Sequence, residues 1–434
     1  SVRTSLACAQ LITDQEEAVT KTKPFTIDKW QVVRAYELVK ANAGAAGIDQ
    51  QSIADFDKNR KNNLYKLWNR LSSGSYCPAP VKAVAIPKKS GGERILGIPS
   101  VSDRIAQMVV KMAFEPKVEP HFLPDSYGYR PGKSALDAIG ITRKRCWSYN
   151  WVLEFDIKGL FDNIPHELLL KAVDKHQPTA WIRLYIQRWL TAPMVMPDGE
   201  VRARTQGTPQ GGVISPLLAN LFMHYVFEKW LQQHYPNIPW CRYADDGLVH
   251  CRSESEAKHM LEVLRERFIA CGLELHPEKT KIVYCKDGSR KGNYEHTSFD
   301  FLGYTFRRRV VKNRKRNSLF VSFTPAVSKV ALKAMRRKIK VLKVRSRTEL
   351  NIAQLGGWLN PIINGWIGYY GRYNRSALYS LFRHINKALI RWARRKYKTL
   401  RRHKTRTLKF LEGIATKSPR LFAHWRAGMV GRFS

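Results

Sequence analysis

In "CRYADDGLVHC" (Cys241–Cys251) two aspartates sit side by side between two short apolar runs. The runs read as the strands of a hairpin and Asp245-Asp246 as its turn. A second apolar run, "WVLEFDI" (Trp151–Ile157), has the continuous pattern of a strand buried on both faces, and it carries Asp156 near its end. If hairpin and strand share one sheet, three carboxylates converge there and repel one another unless cations neutralise them. Carboxylate oxygens are hard ligands suited to Mg2+. Two such ions about 4 Å apart form a clamp that activates an attacking hydroxyl and steadies a leaving pyrophosphate. Neighbours in a strand point to opposite faces, so Asp156 and Asp245 are the expected ligands and Asp246 the supporting one. Alone, Asp-Asp is an ordinary turn, and an aspartate after a strand is often a helix cap. The chemical reading gains from the order along the chain, with a glycine-rich loop and helix standing between strand and hairpin.

Charge points to the partner. The 434 residues carry a formal net charge of +40, spread very unevenly. From Arg307 to Ser434 there are 34 Lys and Arg against two acids, Glu349 and Glu412, a net of +32 that leaves +8 for the first 306 residues. Such an excess on one third of a chain fits a polyanion, nucleic acid first. No amphipathic anchor or lipidation signal accompanies it to favour a membrane surface. With 44% hydrophobic and 25% charged residues the chain reads as globular, with room for two or three domains. Seven scattered cysteines without a C-x-x-C pair argue against a disulfide framework or a zinc site. The expectation is a soluble, cytoplasmic protein without a membrane span or signal peptide.

Along the chain, residues 1–24 are polar and expected to be loosely ordered, "FTIDKWQVVRAYELVKA" is helical, and "NAGAAGID" breaks it. "AVAIPKKSGGERILGIPS" (Ala83–Ser100) reads as a hairpin with basic residues at its tip, and "PHELLLKAVDKH" as a helix with Pro165 at its start. In "TQGTPQGGVISPLLANLFMHYVFEKW" a glycine-rich loop leads into a helix with Ser215 as expected N-cap, Pro216 as first residue, and Leu217, Leu218, Leu221, Phe222 and Tyr225 on its apolar face. A helix is expected at about 254–270, then strand-like "LELHPEKTKIVYC" and "TSFDFLGYTF", with basic helices after Phe306. The fold class is α+β with a helical C-terminal domain.

These segments carry a resemblance. "FDIKGLFDNIPH", "QGTPQGGVISPLLANLF" and "RYADD" resemble the successive palm motifs of reverse transcriptases. The "TPQGG.ISPLLAN" wording is similar to that of group II intron-encoded reverse transcriptase–maturases. "AGAAGIDQQSI" resembles that family's extra N-terminal motif, "SYGYRPGKSALDAI" its fingers motif, and "GWIGYYGRYN" its maturase (thumb) region. The likeness runs over about residues 25–434. It implies a right-hand polymerase fold with fingers and an antiparallel palm sheet, followed by a basic α-helical thumb or maturase (X) domain. The implied boundaries are 1–75 for an N-terminal extension, 76–306 for fingers and palm, 307–395 for thumb, and 396–434 for a basic nucleic-acid-binding tail.

The resemblance also assigns roles. Asp156, Asp245 and Asp246 match the metal-binding triad, which takes two Mg2+ with Mn2+ as a substitute. Phe161 matches the aromatic under the incoming sugar, where a ring clashes with a 2′-hydroxyl and selects deoxynucleotides; the bland alternative is a core Phe beside Leu160. Lys88 and Arg94 flank the fingers hairpin and match triphosphate-clamping positions. Gln210 matches the residue beside the nascent base pair, with Gly207, Gly211 and Gly212 allowing close backbone approach. Lys279 matches a cation near the leaving pyrophosphate, with Lys281 as its rival. Phe301, Leu302 and Gly303 match the primer grip. Arg336, Arg337, Lys338, Arg394, Arg395, Lys396, Arg401 and Arg402 lie in helices whose basic face would track phosphates. The cluster Trp358, Trp366, Tyr369 and Tyr370 reads as helix-packing core rather than a base-stacking platform.

The implied function is RNA-directed DNA synthesis joined to binding of the group II intron RNA, promoting splicing and target-primed mobility. The implied partners are intron RNA, a DNA target and primer, and dNTPs; no membrane or protein partner is inferable. With no metal-ligand spacing in "HKTRTLKFLEGI", the H-N-H-type endonuclease of many members is not expected, and priming would use an existing nick or a replication-fork 3′ end. The alternatives are a host-adopted reverse transcriptase in repair or defence, and an RNA-folding maturase with a vestigial polymerase site.

Overall fold

A computed structural model describes residues 23–87, 92–313 and 317–429. Residues 1–22 and Lys88 therefore lie outside the described residues. The described strands are β1 (Val81–Pro87), β2 (Glu93–Ile98), β3 (Trp151–Asp156), β4 (Met194–Val195), β5 (Val201–Arg202), β6 (Trp240–Tyr243), β7 (Asp246–Cys251), β8 (Lys281–Tyr284), β9 (Ser298–Phe301), β10 (Tyr304–Asn313) and β11 (Ser318–Val327). They form three sheets, in the orders β2-β1-β4-β5, β6-β7-β3-β8 and β11-β10-β9. No described helix is long and apolar enough to cross a membrane. The chain divides into two compact units, and β3, β7 and the helix Glu254–Ala270 contribute residues to both.

The first unit holds residues 23–134, 155–247 and 259–280. Its N-terminal helix Lys29–Ala41 starts where Asp28 accepts the amide of Trp30, a side-chain cap that "FTIDKW" supplies. The helix Ser215–Met223 starts differently from expectation. Ile214, not Ser215, is its cap residue, and Ser215 lies inside the first turn, bonded to Thr208 Oγ1. The buried Gln107 accepts the amides of Val213 (2.7 Å) and Ile214 (3.4 Å) and so holds the loop entering the helix, whose own first turn has no side-chain cap.

Beneath the β6–β7 turn lies a buried ion pair. Arg242, 1% exposed, donates through Nε to Glu228 Oε1 at 2.9 Å, while His224 Nδ1 lies 3.0 Å from Glu228 Oε2. The rest of the guanidinium is consumed by Asn220 Oδ1 (3.1 Å), Ser126 Oγ (2.9 Å) and the carbonyl of Ala244 (2.9 Å). Burial pushes the Glu228 carboxyl up, yet Arg242 and His224 bring it below its ordinary value. Segment 125–128 runs alongside β6: Arg242 donates its amide to Asp125 O, and Tyr127 donates to Arg242 O. Gly128 is required there, because a Cβ would lie 2.5 Å from the amide nitrogen of Ala244.

The second unit holds residues 135–154, 248–258 and 281–429. "TSFDFLGYTF" is two strands rather than one, turned by Leu302 and Gly303 at φ of 51° and 79°, the left-handed pair a two-residue hairpin needs. The basic stretch after Phe306 begins as strand: β10 and β11 run to Val327, and helices start only at Lys329. Four helices, Lys329–Val341, Ile352–Tyr370, Tyr379–Lys396 and Lys404–Lys417, then close a core around Leu355, Leu359, Phe382, Leu389 and Trp392. Trp358, Trp366 and Tyr370 pack against it, as core rather than platform. Residues 397–429, expected as part of a separate basic tail, contribute to the same core, with Leu400, Leu411, Phe422 and Trp425 buried in it.

Arg242→Met is expected to cost about 3–5 kcal/mol, because it strands Glu228 as an uncompensated buried charge. The double variant Arg242→Met/Glu228→Gln should recover part of that loss. Guanidinium denaturation of the three proteins checks both statements.

Candidate polymerase active site

β3 delivers Asp156 to the end of a buried strand, itself 7% exposed. The chain then turns through Gly159, at φ 58°, into the short helix Leu160–Asn163 that places Phe161. From the neighbouring hairpin Asp245 is half-buried and Asp246 exposed, with Ala244 left-handed at φ 58° just before them. Gly247 lets β7 close on β3: a Cβ there would meet the Phe155 ring at 2.1 Å.

Burial pushes the Asp245 carboxyl above its ordinary value, and the negative charge of Asp156 adds to the rise against the pull of Arg94 and Lys279. Lys279 bonds Asp156 Oδ2 directly and is raised by that bond and by the field of Asp156, Asp246 and Asp245 together. The rival Lys281 faces Glu154 instead, its Nζ 3.2 Å from Oε2, two residues back along β3. Of the two lysines, Lys279 is the one at the carboxylates. Among the described residues no three His, Cys, Asp or Glu side chains are drawn together as metal ligands. The donor chemistry nonetheless fits hard divalent cations. Asp156 and Asp245 repel each other in partial burial, and the counter-charge present is a lysine on a flexible stem.

A second constellation stands beside the first. Arg94 on β2 donates through Nε to Gln210 Oε1, and Gln210 Nε2 donates to Asp162 Oδ2 at 3.0 Å. The backbone of the same loop is pinned: Gly97 donates to Gln210 O (2.9 Å), and Thr208 to Phe161 O (2.7 Å). The glycines allow this contact. A Cβ on Gly207, at φ 78°, would meet Asp162 O at 2.6 Å, and one on Gly211, at φ 130°, would meet Gly97 O at 2.5 Å. Phe161, only 8% exposed, has its ring largely in the core and its backbone in the loop contact.

Asp162 and Tyr129 were not singled out by sequence. Asp162 adjoins Phe161 in "LFDN", and its place beside Gln210 in the Arg94–Gln210 chain depends on partners far along the sequence. Tyr129, in "SYGYRPG", is left-handed (φ 57°) and 54% exposed. Its hydroxyl is pushed up by burial and by the Asp245 charge.

In the second unit the Phe301–Gly303 turn is held from the helix Ile352–Tyr370. Tyr369 donates to Leu302 O at 2.8 Å, Tyr304 donates to Tyr369 O, and Ser328 donates to Gly303 O at 2.9 Å. Phe301 is buried, so of the three only Leu302 and Gly303 reach the surface. The basic residues divide as well. Arg394 is spent on the carbonyl of Arg401, Lys396 on Thr348 O (2.8 Å) and Arg336 on Ser380 Oγ (3.0 Å). Arg337, Lys338, Arg401 and Arg402 are exposed, as is Arg395, which gives one donor to Ser346 Oγ at 3.3 Å.

Comparison with known proteins agrees with this arrangement. Residues 86–306 match the model for Reverse transcriptase (RNA-dependent DNA polymerase), and residues 332–410 match the Group II intron, maturase-specific domain. Protein YkfC of Escherichia coli K12 is 33% identical over 325 residues, covering 64% of this chain and 79% of that protein. The group II intron-encoded protein LtrA of Lactococcus lactis is 33% identical over 201 residues, 46% of this chain and 33% of LtrA. A 91 kDa protein in the cob intron of Schizosaccharomyces pombe is 27% identical over 427 residues, 80% of this chain and 50% of that protein. The chain thus spans only a third of LtrA and half of the yeast protein. With half of its length matched by one family model and YkfC aligned over most of its own length, this chain belongs to the RNA-directed DNA polymerases of the reverse transcriptase family, in the group that carries the group II intron maturase-specific domain.

Proposed function

We propose that the chain copies RNA into DNA at the Asp156–Asp245 site and binds the group II intron RNA that it serves, aiding its splicing and mobility. The observation that carries the polymerase reading is the pair Asp156 and Asp245, mutually repelling and faced by Lys279 and Arg94, inside the segment matched by the reverse transcriptase family. Bound at Asp156 and Asp245 with Asp246 in support, two Mg2+ ions would lower the pKa of a primer 3′-hydroxyl and neutralise charge on departing pyrophosphate. The chain's own side chains set the rest. Arg94 offers a planar fork to phosphate oxygens and Gln210 holds that fork in place from the Asp162 side. Lys279 supplies a cation where negative charge gathers on the leaving group. Phe161 shapes the floor under the sugar and rejects a 2′-hydroxyl by contact.

The maturase reading rests on the match over 332–410 and on the exposed Arg337, Lys338, Arg395, Arg401 and Arg402. These side chains can replace counterions along an RNA backbone, while the apolar faces of the same helices stay in the core. Leu302 and Gly303 are the surface of the proposed primer grip, with Tyr369 and Tyr370 fixing their turn.

Asp245→Ala should cut DNA synthesis on an RNA template by at least about a thousandfold, several kcal/mol of activation energy, while RNA affinity stays within about twofold. Filter binding beside primer extension separates the two. Phe161→Ala should raise ribonucleotide use relative to deoxynucleotide by about 10–100-fold. An unchanged ratio in competition assays would remove Phe161 from the sugar-selecting role. Replacing Arg337, Arg395, Arg401 and Arg402 with Gln should weaken RNA binding and lower its salt slope by about 0.7 per lost phosphate contact. Per-site extension on a preannealed primer should be nearly unaffected.

A further inference from the structure

The β10–β11 hairpin is longer than its support. Its register runs through ten cross-strand pairs, from Tyr304↔Val327 to Asn313↔Ser318. β9 covers β10 only from Tyr304 to Arg307, and on the other strand Trp147 Nε1 donates to Phe323 O at 3.1 Å. Near that base the ribbon is core, with Phe306 and Phe323 buried and Phe299 stacked on Phe306. Farther out the character reverses. Val310 is 65% exposed, Leu319 70% and Phe320 49%, while Arg308 and Lys312 are also exposed.

Strand alternation sorts these side chains. Arg308, Val310 and Lys312 share a face with Val321 and Leu319, through the pairs Val310↔Val321 and Lys312↔Leu319. That face is an aliphatic patch between two cations. Phe320 lies on the opposite face with Arg307 and Val311. Cations on an unpaired edge have an ordinary use, since they deter edge-to-edge aggregation. That use accounts for Arg308 and Lys312 but not for aliphatic and aromatic side chains left beside them in water. A two-stranded ribbon alone is marginally stable, so apolar exposure at its far half is a cost that a partner would remove.

The charge selects the partner's class. No acid occurs between Asp300 and Glu349, so the ribbon and the helix Lys329–Val341 present one sign of field. A polyanion that also offers apolar surface is a nucleic acid with unstacked bases. Duplex RNA is a poor fit, because its major groove is too deep and narrow for side chains to read. The major groove of DNA does admit a two-stranded ribbon, and arginines can read guanine there, but a duplex keeps its bases stacked and offers Leu319 and Phe320 little apolar surface.

We propose that the distal half of β10–β11 is an RNA-docking arm. Arg308 and Lys312 hold phosphates, Val310 and Leu319 between them receive unstacked bases of an unpaired loop or junction in a structured RNA, and Phe320 takes a base on the opposite face of the ribbon. The contact uses side chains with no part in nucleotidyl transfer and deepens the RNA-binding reading above, on which it rests.

The test compares the full chain with Arg308→Gln/Lys312→Gln and with Leu319→Ser/Phe320→Ser. Fluorescence anisotropy over a range of salt would use three probes: an RNA stem–loop with a large loop, a fully paired RNA of equal length, and a DNA duplex. The charge pair should weaken stem–loop binding about tenfold and lower its salt slope by about 1.4, two contacts at about 0.7 each. The apolar pair should weaken the stem–loop several-fold with the slope unchanged, as stacking losses are insensitive to salt. Both should leave paired RNA within about twofold, and per-site extension of a preannealed primer unchanged. A photoreactive residue at Leu319 should cross-link to loop nucleotides, a readout that survives if either double variant folds poorly. Wild-type stem–loop binding that neither pair alters would overturn the arm and leave the RNA-binding reading standing. A larger loss on duplex DNA, or cross-links to protein alone, would overturn it equally. Absence of RNA binding by the unmodified chain would sink the underlying reading itself.

Discussion

The buried pair of Arg242 and Glu228 is the constraint on which the site depends. An arginine 1% exposed is tolerable only when each donor is taken, and here the takers come from several separate elements. Glu228 lies on the π turn that continues the helix Ser215–Met223, Asn220 on that helix, Ser126 on the segment beside β6, and Ala244 in the turn itself. One guanidinium thus fixes three pieces of chain relative to the turn that carries Asp245 and Asp246. Its planar fork does what a lysine's point charge could not, because the acceptors lie in several fixed directions.

That rigidity bears on the electrostatics. Two carboxylates that repel in partial burial would drift apart on a loose loop. Here the turn is clamped by Arg242 from within and by Gly128 and Gly247 at close contact, and burial, with the Asp156 charge adding to it, holds the Asp245 carboxyl up. The cations opposite differ: Lys279 is 57% exposed on a long stem, whereas Arg94 is held through Gln210. Fixed anions faced by an exposed lysine suit a site that must take in a charged substrate and release a charged product.

Much of this was legible in sequence, for local reasons. Trp151–Asp156 and Glu254–Ala270 have clean apolar patterns, and the aspartates stand out because such patterns stop at them. Ser215 lies inside the first turn with its hydroxyl on Thr208, and the loop entering the helix is held by Gln107, far back in the chain; no local pattern encodes that. "DFLGYTF" concealed a hairpin because Leu302 carries a left-handed φ that only the adjacent Gly303 hinted at. The strands through Val327 were hidden by their arginines, since composition suggested the helices that follow while the alternation lay beneath it. The Arg94–Gln210–Asp162 chain joins three segments, and only the fold could bring Asp162 into it.

The same distinction governs how basic residues are read. A net of +32 from Arg307 onward invites assigning every Lys and Arg to a phosphate, but several are internal fasteners. Arg394, Lys396 and Arg336 satisfy a carbonyl or hydroxyl within their own unit, and Arg309 donates to Thr324 O and Thr305 O along the ribbon. Burial brings the Arg309 guanidinium down to about 10, which still leaves it charged at neutral pH. A cation whose donors are already engaged has less to offer a phosphate, and moving it costs the fold a hydrogen bond. The nucleic-acid surface is therefore drawn by exposure and free donors rather than by charge count. Arg337, Lys338, Arg395, Arg401 and Arg402 on the helices, and Arg308 and Lys312 on the ribbon, meet the exposure criterion. Removing them should change salt dependence, whereas removing Arg394 or Lys396 should change stability.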